Sequence, residues 1–194
     1  NKIKQIISSG EAGHPISLRA HWGEYLPDWH PWEDYRRSYS ARADLGGSVA
    51  LTLSHPLDYL RWLMGEAEIL WSLGTKVSDL EIEVEDLAEF GLKFANGAVG
   101  TVHVDYFQRP PSHHLEIICS QGAIRWDNAD GSVHLYTTAS GQWTNYPVPD
   151  GFERNVLFMD ELSHFIRLCK GEVESLCALD DGIKALELAL SAVH

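Results

Sequence analysis

From Val49 onward, apolar residues fall at 49, 50, 53, 57, 60, 63 and 64. Steps of three and four are the period of a helix that buries one face, so the pattern predicts one helix over 48–64, stopped by Gly65. A shorter helical stripe, Ile3, Ile6 and Ile7, opens the chain and ends at Gly10. A helix this short is marginal alone, and it reads as the tail of an element whose remainder lies upstream.

Alternation replaces this period elsewhere. Residues 15–25 read as a strand, and further strand-like segments follow the helix at 67–77, 86–95, 98–107, 113–119, 122–127 and 132–137, with a weaker one at 142–148. Asn96-Gly97 is a strong two-residue hairpin signal, and Gln121-Gly122 and Asp130-Gly131 mark two further turns. Two helices close the chain. The first, 152–170, carries Val156, Met159, Leu162, Phe165 and Ile166 on one face and is ended by Gly171. The second runs from Leu179 with the stripe Ile183, Leu186, Leu190 and Val193, and has Asp180 and Asp181 at its positive N-terminal end. The expected fold is α+β: an open, mostly antiparallel sheet of about six strands with helices on one face. Apolar residues on both sheet faces lean toward a subunit contact.

The composition places the chain among globular proteins: 44% of its residues are apolar and 22% charged. A net charge of −13 argues against nucleic acid or an anionic membrane as partner. No run approaches the 18 or so apolar residues of a membrane span, and no basic-then-apolar leader is visible. Cys119, Cys169 and Cys177 are odd in number and show no zinc-like spacing, which suits reduced thiols in a cytoplasmic protein. Trp22, Tyr25, Trp29, Trp32, Tyr35 and Tyr39 crowd into 18 residues. Residues 26–45 read as a long loop with a helical turn near 32–36, and so many aromatics fit either core packing or a pocket wall for sugars and polyols.

Three groups of side chains are candidates for chemistry. His55 and Asp58, three apart on the 48–64 helix, lie on neighbouring surface and suit proton transfer; the same spacing fits a core histidine satisfied locally. Tyr35, Arg36, Arg37, Tyr39 and Arg42 form a basic-aromatic patch able to grip carboxylate, phosphate or hydroxyls, or to make loop salt bridges. His103 and Asp105 share a strand face, but two ligands make no metal site, and His113 and His114 point to opposite faces. No metal is expected. GxGxxG, GxxxxGK[ST], GxSxG and HExxH are all absent.

GGSVALTLSHPLDYLRWLMGE, FGLKFANGAVGTVHVDY, LEIICSQGAIRWD and the closing MDELSHFIRLCKGE…ALDDGIKALELALSA occur in this order. Together they resemble the C-terminal domain of the Gfo/Idh/MocA oxidoreductases, the family of glucose-fructose oxidoreductase and inositol dehydrogenase. The resemblance implies a glyceraldehyde-3-phosphate dehydrogenase-like or dihydrodipicolinate reductase-like C-terminal fold that binds a sugar or polyol substrate. It also implies that NAD or NADP and the catalytic lysine belong to a Rossmann domain upstream. Residues 1–14 would be a remnant of that domain and its crossover, and 15–194 one substrate-binding and oligomerising domain, with no cofactor of its own and inactive alone. A homodimer or homotetramer through the open sheet face is expected.

Carried over by position, His55 matches the family's active-site histidine and Asp58 its aspartate one turn on. Gly46 and Gly47 match the tight entry where backbone approaches cofactor and substrate. Thr52 stands where family members usually carry Asp, leaving the Asp–His arrangement incomplete. Trp32, Tyr35, Arg36 and Tyr39, with Thr52, are the expected substrate contacts. The loop DWHPWEDYRRSYSAR looks most like a subgroup acting on nucleotide-linked or amino sugars. A non-catalytic sugar-binding or dimerisation protein on the same fold is the competing expectation.

Overall fold

A computed structural model describes residues 2–193. All eight strand segments join one sheet, rather than about six. The elements run α1 (Lys2–Ser9), β1 (Pro15–Tyr25), α2 (Val49–Thr52), α3 (His55–Met64), β2 (Ala67–Thr75), β3 (Leu87–Phe94), β4 (Val99–Asp105), β5 (Phe107–Cys119), β6 (Gly122–Asp127), β7 (Val133–Thr137), β8 (Gln142–Tyr146), α4 (Arg154–Cys169) and α5 (Leu179–Leu190). The sheet order is β2-β3-β4-β1-β5-β6-β7-β8. Only the β1–β4 pair is parallel, because β1 slots between β4 and β5, which run in opposite directions from their junction at Tyr106.

That insertion explains the largest boundary difference. The sequence pattern breaks at Pro110-Pro111, yet β5 begins at Phe107 and runs through them. Its register against β1 slips between Gly23–Ser112 and Tyr25–Phe107, and the prolines lie in the bulge. Proline has no N–H to give a ladder, and a bulge asks for none.

Alternation along β1 assigns the two sheet faces. Leu18, Ala20 and Trp22 share one with Val102, Val104, Leu115 and His113, their register partners. Fully buried Phe90, Phe94, Ile117, Ile124 and Leu135 continue that face and meet Val49, Leu57 and Leu60 from α2 and α3. Arg19 and His21 point to the opposite face, where Trp71, Leu73, Val99 and Ile118 stand exposed. Trp71 covers Gly91 there, and a β-carbon on Gly91 would lie 2.2 Å from its indole nitrogen.

The predicted helix over 48–64 is two helices. Leu53 leaves helical geometry (φ −98°, ψ 38°), and α3 restarts at His55 with Pro56 in its first turn. Proline is at home there, where no N–H is needed, and unwelcome mid-helix. The turn expected near 32–36 is a short 3-10 turn at Tyr35–Arg37, one of four between 26 and 45.

The closing helices form, but their large apolar stripes are not the buried ones. No residue of α4 is buried, and Val156, Met159, Leu162, Phe165 and Ile166 are 45–59% exposed. In α5 the inward residues are Ala185, Leu188 and Ala189, while Ile183, Leu186 and Leu190 face out. Small residues win because the backbones come close: a β-carbon on Gly74 would lie 1.7 Å from the Ala192 carbonyl oxygen, and Ser72 Oγ donates to the Ser191 carbonyl at 2.6 Å. At the other end α1 buries Ile6, and Lys4 donates to the carbonyls of Trp62 and Leu63.

Candidate active site

β1 delivers Trp22 to the helix-covered face opposite His113 of β5, and the two rings stack at 4.3 Å, nearly parallel. Restarting the helix at His55 brings its imidazole against the same indole, at 5.3 Å. One turn further, Tyr59 faces His113 with its hydroxyl 3.4 Å from Nε2, and Trp126 of β6 meets that imidazole edge-on at 4.8 Å. Glu24 accepts from Trp22 Nε1 at 2.7 Å, which fixes the indole. The result is a row, His55–Trp22–His113, with two further aromatic rings around its inner end.

Burial and the nearby His55 and His114 imidazoles push His113 down to about 4, so it is neutral at pH 7. Burial also holds the Tyr59 phenol above the ordinary tyrosine range. His55 is exposed. A cavity of about 730 Å³ opens beside this row, lined by Tyr59, Trp62, His113, Trp126, Tyr146 and Leu157 among others. An exposed imidazole at one end of the row, a neutral imidazole at the cavity wall and a flat indole between them suit proton exchange with a hydroxylated ligand stacked on the aromatics.

The other predicted residues are placed elsewhere. Asp58 is half-buried near Cys177, whose thiol is raised by burial and then by the charges of Asp58 and Asp181. No hydrogen bond or ion pair joins Asp58 to His55 among the described residues. Thr52 Oγ1 is buried beside the Tyr106 phenol, close enough to influence it, but in hydrogen-bond geometry with no described partner. Tyr39 also lies near that phenol, which donates to the Ser48 carbonyl at 3.0 Å.

Within the loop, Trp32 is 76% exposed against His30. Tyr35 and Arg36 act as staples: the Tyr35 hydroxyl accepts from the Glu81 N–H at 3.1 Å, and Arg36 pairs with Asp34 and Glu81, both at 2.7 Å. Neither touches the His55 row. Gly46 is left-handed (φ 78°), which favours glycine, and Gly47 is enclosed by the backbone of Tyr39 and Arg42, its missing β-carbon only 2.3 Å from the Tyr39 carbonyl oxygen.

Tyr59 and Trp126 escaped the sequence reading, which met Trp22 only as one of the crowded aromatics and His113 only as a rejected metal ligand. Tyr59 was findable as the i+4 neighbour of His55. Trp22 and His113 come together only through the β1–β5 register, which no local pattern specifies. On the opposite face the structure adds His21 to His103 and Asp105, a third donor supplied by the β1–β4 pairing.

The family described as GFO/IDH/MocA C-terminal domain matches residues 1–125. Among solved structures, a levoglucosan dehydrogenase in complex with NADH is similar over 98% of this chain and 59% of its own, with a TM-score of 0.80 and 20% identity. An NAD binding oxidoreductase from Klebsiella pneumoniae matches over 98% and 59%, with a TM-score of 0.79 and 16% identity. A UDP-N-acetylglucosamine 3-dehydrogenase from Acidithiobacillus ferrooxidans matches over 97% and 55%, with a TM-score of 0.72 and 18% identity. Identities this low show a shared fold, and the chain spans less than two thirds of each of these proteins. No curated protein matches by sequence.

Proposed function

Because the chain belongs to the GFO/IDH/MocA C-terminal domain family, we propose that it is the substrate-binding part of an NAD(P)-dependent oxidoreductase acting on a CH–OH group of a sugar, sugar derivative or polyol. The observation that carries this reading is the exposed His55 imidazole stacked on Trp22, whose other stacking partner, His113, lines an aromatic cavity. The cofactor belongs to a domain upstream of residues 15–194, with residues 1–14 as its remnant and crossover, so this chain alone is inactive. When bound, the nicotinamide supplies the hydride acceptor. Of the two glycines expected to meet such a group, Gly46 has nothing within 4 Å of its missing β-carbon, whereas Gly47 is closed off by its own loop.

His55 takes the proton of the reacting hydroxyl, with Asp58 three residues on along the same helix as the second expected participant. Neutral His113 and the Tyr59 hydroxyl accept from and donate to the remaining hydroxyls. Trp32 and Tyr39 reach the substrate from the loop that Tyr35 and Arg36 hold in place. The bare stripe of α4 is covered by the upstream domain, and the open sheet face by a second subunit in a cytoplasmic homodimer or homotetramer. The test joins the upstream domain to this chain, supplies NAD(P) and a sugar panel, and compares wild type with His55→Ala. A fall in turnover of about 100-fold or more is expected; equal turnover removes His55 from the mechanism.

Thr52 favours a second reading, a non-catalytic sugar-binding or dimerisation protein. Its hydroxyl cannot serve as the carboxylate that would orient His55. Thr52→Asp discriminates between the two: a sluggish enzyme gains turnover, and a binding protein stays inert.

A further inference from the structure

On the open face, β4, β1 and β5 bring four donor atoms to one point. His21 and His103 are direct register partners, and their rings stack at 4.6 Å. Ligand atoms of His21, His103 and Asp105 all lie within 4.8 Å of one another. His103 Nε2 is 2.9 Å from Asp105 Oδ2, and His21 Nε2 is 2.6 Å from Gln108 Oε1. Gly23 makes the room: a β-carbon there would lie 2.3 Å from Gln108 Oε1 and 2.4 Å from Asp105 Oδ2. Any other residue at 23 would push both oxygens out of the cluster.

The outer groups are arranged as they are around metal ligands. Glu89 accepts from His103 Nδ1 at 2.6 Å, the carboxylate–histidine pairing that orients an imidazole and frees its Nε2 for a metal. Asp105 is 1% exposed, and its Oδ1 accepts from the N–H groups of Phe107 and Gln108 at 2.9 and 2.8 Å, which leaves Oδ2 for the cluster. His114 stacks on the far side of His21 at 4.9 Å. Ligand atoms of a tetrahedral zinc site lie roughly 3.3–3.5 Å apart at normal bond lengths, so small side-chain rotations close this set.

We propose that His21, His103 and Asp105, with the Gln108 amide oxygen as a fourth donor, bind one zinc ion on the open face of the sheet. Two imidazoles, one carboxylate and one neutral oxygen suit Zn²⁺, whereas Ca²⁺ and Mg²⁺ call for oxygen ligands. The ion clamps the parallel β1–β4 pair to the start of β5, where the proline bulge interrupts the ladder. The site is independent of the His55 row, and its test requires no turnover.

Chelator-treated protein is titrated with Zn²⁺ by calorimetry, and with Co²⁺ while visible absorption is followed. Wild type is expected to take up one equivalent of Zn²⁺, melt at a higher temperature with it, and give the intense d–d bands of tetrahedral Co²⁺. His21→Gln, at a half-buried position, and Asp105→Asn, near-isosteric, each lose affinity by more than 100-fold; Glu89→Gln loses about 10-fold. His30→Gln, remote from the cluster, changes nothing. Equal Zn²⁺ affinity in wild type and His21→Gln, or a His103 that binds only a proton between its two carboxylates and takes up no metal, overturns the proposal.

Discussion

Adjacent residues of β1 open onto two different chemical environments. His21 joins a charged cluster in which His103 lies between Glu89 and Asp105. Trp22, on the opposite face, joins a stack of rings in which His113 meets Trp22, Trp126 and the Tyr59 hydroxyl. Burial lowers both histidines, but hydrogen bonds to Asp105 and Glu89 outweigh it and raise His103 to about 9, while at His113 burial and the neighbouring imidazoles outweigh the opposing charge of Asp127, and it falls to about 4. One residue type thus takes opposite charge states across a single sheet, and the neighbours decide which. The charged face holds a cation, either the proton on His103 or the proposed zinc ion, which must displace that proton to bind; the neutral face is suited to hydroxyl groups.

Breaking the charged face has the largest expected effect. Asp105→Ala strands His103 and two backbone N–H groups and costs about 3–5 kcal/mol in urea denaturation. Trp22→Ala, on half-buried aromatic packing, costs less, about 2–3 kcal/mol, and leaves the His103 pair intact. A cost for Trp22→Ala equal to that of Asp105→Ala would contradict this ordering.

The faces also separate by pH. His103 is raised, so its stabilisation is complete below pH 6.5 and is lost as pH rises through about 9. His113 is depressed, so its contribution is complete above pH 6.5 and is lost as pH falls toward about 4. Glu89→Gln therefore flattens the alkaline limb of a Tm–pH profile, and His113→Phe the acid limb. The smallest effect is expected from Arg36→Ala. Its pairs are half exposed and solvated, so stability hardly changes, and any loss of sugar affinity measures how firmly the 26–45 loop is held.

Much of the fold was legible because its signals are local. Asn96-Gly97 turns β3 into β4 with Gly97 at φ 88°, and alternation located every strand. The break before Pro56 was missed: proline belongs in a first turn, but the three-four apolar period masked that signal and gave one helix over 48–64. The partners of β1 were not legible. Its neighbours β4 and β5 lie some 80 residues onward, and only their register sets Trp22 against His113 and His21 against His103. The small-residue packing of α5 was hidden for a similar reason, because close approach to Gly74 selects Ala189 and Ala192 over larger neighbours. His55 was singled out within its own stretch, but its stacking on Trp22 was not visible there, and neither was the pairing of Arg36 with Glu81, which comes from a distant loop.

The most direct test follows the histidine side chains by imidazole ¹H–¹⁵N correlation spectra of the protein joined to its cofactor domain, while a sugar substrate is titrated in. His55 and His113 should shift together and saturate, with His21 and His103 unmoved. Unmoved His55 and His113 signals under conditions of turnover, or shifts confined to His21 and His103, would contradict a substrate site on the helix-covered face.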